Sequence, residues 1–125
     1  MQTVMLVDDQ ELFRDMARSM LNASNEFVVV AEADDGSVAV DQYALSRPDV
    51  VLMDVQMAQM NGLEATRRIV DAFPDAAIVL VSMRAEPEYD RAGREAGAVG
   101  FIAKRELSAD AIKSLLQGRA QELVA

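Results

Sequence analysis

At 125 residues, 51% of them hydrophobic, the chain suits one compact domain that buries about two-thirds of its unfolded surface without disulfides or metal, with no room for a second. It contains no cysteine and no histidine, which excludes disulfides, thiolate or imidazole zinc sites, Ser-His-Asp triads and Cys-His pairs, and restricts any metal to a hard, oxygen-ligated ion such as magnesium or manganese. A formal net charge of −9 repels nucleic acid phosphate and anionic lipid, and no apolar stretch approaches the ~20 residues of a membrane span, so a cytoplasmic chain without direct nucleic acid or membrane contact is expected.

The first apolar run, over residues 3–7, reads as a strand that stops at the tandem acids Asp8 and Asp9. From Gln10 the period changes: Leu12, Phe13, Met16, Ala17, Met20 and Leu21 fall on one helical face, with Arg14, Asp15 and Arg18 opposite. A polar break over 22–26 leads to a β-branched strand over 27–31, an Asp34-Asp35-Gly36 turn, and a helix over 37–45 with Val38, Ala39, Tyr43 and Ala44 as its apolar face. Val50-Val51-Leu52-Met53 is apolar without alternation, as strands covered on both faces are, and it ends in Asp54. Asn61-Gly62 is expected to supply a positive φ before a helix over 63–73. The apolar run 76–81 ends in Ser82; Pro87 suits the first turn of a helix running to Ala96, whose apolar face is thin. Gly97 ends that helix, a short strand over 99–103 is followed at once by Lys104, and a last amphipathic helix, striped by Leu107, Ala111, Ile112, Leu115 and Leu116, fades near Gly118.

Five strands alternating with five helices predict an α/β fold, a parallel sheet with helices on both faces. Four strand ends then carry reactive groups: Asp8 and Asp9, Asp54, Ser82, and Lys104. Ligand crevices of such sheets lie outside the carboxyl edge. In the strand order 2-1-3-4-5 the first and third strands are neighbours about 5 Å apart, which brings Asp9 and Asp54 within reach of one divalent cation. The lysine stem spans most of the roughly 10 Å from two strands away. These groups suit acceptance of a phosphoryl group by a carboxylate nucleophile, with the charge on the transferring oxygens neutralised by a magnesium ion and Lys104. No P-loop or GxGxxG loop is present to hold ATP, so the phosphodonor comes from elsewhere.

Asp8-Asp9, Asp54, Ser82 and Lys104, in that order and on those elements, resemble the receiver domain of two-component response regulators, and the resemblance covers nearly the whole chain. Leu52-Met53-Asp54-Val55, the run from Met60 to Arg67 and Gly100-Phe101-Ile102-Ala103-Lys104 are similar to the subgroup usually joined to a LuxR-type helix-turn-helix. The resemblance implies a flavodoxin-like doubly wound domain over 1–118, with 119–125 a C-terminal tail or linker stub. It implies a signal-transduction switch in transcription regulation, phosphorylated on Asp54 by a sensor histidine kinase. Magnesium (or manganese) would be ligated by Asp9, Asp54 and the Gln56 backbone carbonyl, Asp8 assisting through water. Ser82 and Phe101 would form the switch, and the fourth helix, fifth strand and fifth helix would meet an output domain, a protein partner or a second copy. Such a domain is a phosphoacceptor that assists its own phosphoryl transfer and slow hydrolysis rather than an enzyme.

The sequence departs from the family pattern at Ala58, where Pro is common, at Met83, where a small residue is common, at Phe101 for the commoner Tyr, and at Arg105 for the frequent Pro. Met83 and Ala58 alone suggest a pseudo-receiver that binds partners unphosphorylated. A haloacid-dehalogenase-type phosphatase also places Asp, Ser and Lys at parallel strand ends, but its second Asp, two residues after the nucleophile, is here Gln56.

Overall fold

The computed structural model describes the backbone of residues 1–124 and the side chains of residues 1–120. Strands β1 (Gln2–Val7), β2 (Phe27–Ala33), β3 (Val50–Asp54), β4 (Ile78–Ser82) and β5 (Gly100–Ala103) alternate with helices α1 (Glu11–Ala23), α2 (Gly36–Ser46), α3 (Gly62–Ala72), α4 (Pro87–Ala96) and α5 (Ala109–Val124). Every pairing is parallel, in the order β2-β1-β3-β4-β5, so this is the doubly wound α/β arrangement the alternating elements imply. β3 and β4 are buried at all positions, because strands sandwiched between two helical layers have no polar face to present.

Alternation along the strands divides the core in two. Met5, Val7, Val51, Met53, Ile78 and Leu80 face Ala39 and Tyr43 of α2 and Ala65 and Ile69 of α3. Val4, Leu6, Leu52, Val79 and Val81 face Ala17 and Leu21 of α1 and Ile112 of α5. Local chemistry sets the helix starts. The Asp35 carboxylate accepts the Ser37 and Val38 N–H groups at the head of α2, and the Asn61 side chain accepts the Glu64 N–H at the head of α3. Gly97, at φ 106°, ends α4 in the left-handed region.

Several sequence expectations need correction. Asn61-Gly62 supplies no positive φ: Asn61 is an extended N-cap at φ −70°. Gly62 is required for another reason, since a Cβ there would stand 2.1 Å from the Asp54 carbonyl oxygen. Leu12 and Met16 are 84% and 57% exposed; helix–sheet contact covers a narrower stripe than the apolar periodicity suggested, and Phe13, Ala17, Met20 and Leu21 fill it. Ala44 is likewise exposed. β2 runs two residues past 31, because Leu6 and Val7 of β1 remain paired with Glu32 and Ala33. A 3-10 turn, Lys104–Glu106, separates β5 from α5, so Leu107 precedes the last helix. That helix does not fade at Gly118 but continues to Val124, with Arg119 donating to the backbone oxygens of Ala76 and Asp75. The final residue of the expected tail, 125, lies outside the described residues.

Candidate functional site

Strand register assembles the site. Val7 pairs with Met53, Asp54 with Val81, and Ser82 with Ala103, so Asp8, Asp54, Ser82 and Lys104 occur within one residue of a common row at the carboxyl edge of the sheet. All four are buried, between 1% and 6% exposed, whereas Asp9 and Gln56 are exposed at the mouth. Asp8, Asp9 and Asp54 each offer an oxygen within 4.8 Å of the others. The sequence-predicted residues thus converge, with Ser82 at the neighbouring strand end and its Oγ accepting the Arg84 N–H at 3.2 Å.

Lys104 reaches the acids from two strands away. Its ammonium lies 2.6 Å from Asp8 Oδ2 and 3.8 Å from Asp54 Oδ1, so Asp8 is its nearer partner. The Phe13 ring, 4.3 Å away, carries the other side of the cation. Burial pushes the Asp54 carboxyl up to about 6; the Asp8 charge adds to this, Lys104 and the Gln56 amide oppose it, and Asp9 adds a little more. A carboxylate so placed is short of positive charge.

The donor set fits a hard divalent cation. Three carboxylates are clustered, and Asp8 Oδ2 is a buried oxygen with no hydrogen bond, its approach to Lys104 being a charge pair of poor hydrogen-bond direction. Asp8, Asp9 and Asp54 are the residues that could hold such an ion.

Sequence reasoning passed over three side chains that touch this site. Phe13 was assigned only to the core. Arg14 was assigned to a polar face, yet its Nη1 donates to the Asp8 carbonyl oxygen at 2.6 Å and its Nε to Glu32 Oε1 at 3.2 Å. The signal was available: long helical side chains lean toward the N-terminus, and Arg14 lies in the first turn of α1. Tyr89 packs on Phe101 with ring centroids 5.8 Å apart, and its hydroxyl accepts from Gln56 Nε2 at 2.9 Å. This contact joins the loop after β3 to α4 and to the aromatic on β5.

A buried carboxylate, two further acids, a serine and a lysine thus stand together at the edge of a five-stranded doubly wound sheet, the arrangement that the sequence resemblance to receivers implies. Residues 4–117 match the response regulator receiver domain family, and the chain belongs to it. It is similar to the transcriptional regulatory protein DegU of Brevibacillus brevis, 36% identical over an alignment of 121 residues that covers 94% of this chain and 51% of that protein. Among solved structures it resembles a LuxR-family two-component response regulator from Aurantimonas sp. SI85-9A1 (TM-score 0.87, 33% identity, covering 94% of this chain and 86% of that one). It also resembles the signal receiver domain of NarL from Mycobacterium tuberculosis (TM-score 0.82, 31% identity, 93% and 94% covered). The chain spans about half the length of the curated relatives it matches. These relatives place it with the receivers of LuxR- and NarL-type transcription regulators. No helix among the described residues is long and apolar enough to cross a membrane.

Proposed function

We propose that this chain is a phosphorylation-controlled switch in which Asp54 accepts a phosphoryl group from the phosphohistidine of a sensor kinase. A carboxylate oxygen of Asp54 forms the new P–O bond while the P–N bond to the donor imidazole breaks. The reading is carried by one observation, the cluster of three carboxylates within 4.8 Å of one another beside a lysine that is 6% exposed. Asp8, Asp9, Asp54 and the Gln56 carbonyl would hold magnesium, which supplies positive charge to the transferring oxygens when bound. Lys104 supplies a second positive charge from within the protein, and the Ser82 hydroxyl donates to a phosphoryl oxygen. Ionisation of Asp54 suffices for attack, so no general base is needed.

The phosphoryl group brings nearly two negative charges into a pocket already acidic. Ser82 and Lys104 turn toward it, and Phe101 follows inward, changing the face made by α4, β5 and α5. That face carries a groove of ≈ 510 Å³ lined by residues including Pro87, Asp90, Phe101, Ala111 and Leu115; it suits an output domain, a protein partner or a second copy. Residues 1–118 form the receiver and 119–125, continuous with α5 as far as Val124, its tail or linker, in a cytoplasmic protein. Hydrolysis of the acyl phosphate is slow and self-assisted, so the module acts as a phosphoacceptor rather than a turnover enzyme.

Acetyl phosphate with magnesium is expected to add one phosphoryl group, seen by intact mass, and to add none to Asp54→Asn or in the presence of a chelator. Unmodified wild type would refute the switch, and equal labelling of Asp54→Asn would refute the acceptor.

A further inference from the structure

We propose that Arg14 is a positioning residue for the divalent cation, clamping the Asp8–Asp9 peptide through the Asp8 carbonyl oxygen, and that Glu32 cancels its charge so that the clamp does not repel the ion. The inference rests on the reading of the acidic cluster as a cation site.

The Asp8 carbonyl belongs to the peptide that joins two of the three carboxylates. β1 has ended at Val7, so no strand partner fixes that peptide. Arg14 Nη1 supplies the missing donor at 2.6 Å. The rest of Asp8 is already held: its N–H donates to the Ala33 oxygen at 3.0 Å, and its Oδ1 accepts the Gln10 N–H at 2.8 Å. The Asp9 carboxylate makes none of the described hydrogen bonds, so its direction depends on the peptide that Arg14 restrains.

A guanidinium this near a cation site would weaken binding if its charge stood alone. Glu32, on the neighbouring strand, prevents this. It accepts from Arg14 Nε at 3.2 Å and from Arg18 Nε at 2.7 Å, and Arg18 also binds Asp15 at 2.8 Å. Two positive and two negative groups therefore balance, with Arg14 and Glu32 only 18% and 28% exposed. Hydrogen bonding from Arg18, and then from Arg14, holds the Glu32 carboxyl below the usual range.

An ion-pair network serving only to pin α1 to β2 would change melting temperature and leave cation affinity alone. A positioning role predicts the converse emphasis. Magnesium titrations of the full chain, followed by backbone amide shifts near Asp54, should show about tenfold weaker binding for Arg14→Met, in line with losses seen when supports of metal ligands are removed. Arg14→Lys should recover part of the affinity. Glu32→Gln should weaken binding severalfold, more so at low ionic strength. Wild-type affinity in Arg14→Met overturns the proposal. Should that variant fail to fold, unchanged affinity in Glu32→Gln overturns it instead. Absence of magnesium binding by the wild type would refute the cation reading beneath it, which separates the two failures.

Discussion

Asp54 shows how burial and function pull against each other in one side chain. Its carboxyl is raised from 3.8 to about 6, chiefly by burial, so the folded protein holds this proton more tightly than the unfolded chain does. The stabilisation from that group is complete below 3.8 and is lost as pH rises through about 6. Metal-free protein is therefore expected to gain melting temperature from this group between about pH 7 and about pH 5, a component absent in Asp54→Asn. Magnesium held as proposed would favour the ionised form and shift the loss to lower pH, while acetyl phosphate labelling at low magnesium should climb through the same range. A melting profile identical in wild type and Asp54→Asn would contradict the assigned environment. The backbone of Asp54 is equally constrained. A Cβ at Gly62 would meet its carbonyl oxygen at 2.1 Å, closer than any contact short of displacement. Gly62→Ala should lower the labelling rate by about tenfold or more while leaving far-ultraviolet dichroism native-like, because a shift near 1 Å at a reacting group costs on that scale.

Among the helices, α4 offers the core the smallest buried side chains. Gly93 and Ala96 are its buried residues, and neither offers more than a methyl group to the core. Gly93 is needed because a Cβ would approach Leu80 Cδ1 to 2.5 Å, so close packing here gives small area. α1 and α5, by contrast, bury Leu21 and Ile112 completely. Amide exchange should be faster in α4 than in α1 or α5, and uniform protection across the three would refute this ranking. The Tyr89 contacts with Gln56 and Phe101 give this helix a direct connection to the loop beside Asp54. Faster exchange in α4 would make it the element through which the proposed switch acts, since a few kcal/mol of new contacts suffice to shift a two-state population.

Taken whole, the molecule is a central parallel sheet between two helical layers, with the acidic cluster at its carboxyl edge. The layer holding α1 and α5 closes on Ile112, fully buried among Leu6, Leu52 and Val81. Ile112→Ala should cost about 2–5 kcal/mol in urea unfolding. Leu12→Ala, at a position 84% exposed, should stay within about 0.5 kcal/mol of wild type. Similar losses for both would mean that α1 packs differently from the arrangement described.

Read alone, the sequence determined the α/β alternation and, for four of the five strands, the ends where reactive groups stand, because unbroken apolar runs admit little besides buried strands and these four stop at Asp, Ser or Lys; the strand order is decided by pairing in the fold. It also picked out Asp8, Asp9, Asp54, Ser82 and Lys104, which the fold brings to one edge of the sheet. Tertiary structure alone decided which acid Lys104 faces: 2.6 Å to Asp8 against 3.8 Å to Asp54 follows from register and side-chain packing, which periodicity does not encode. It decided that Leu12 and Met16 face outward, since a helical stripe wider than its contact with the sheet leaves its margin in solvent. It likewise turned Arg14 from a surface charge into a support of the acidic turn, because the partner that gives it this role, a carbonyl left over where β1 ends, exists only once the chain has folded.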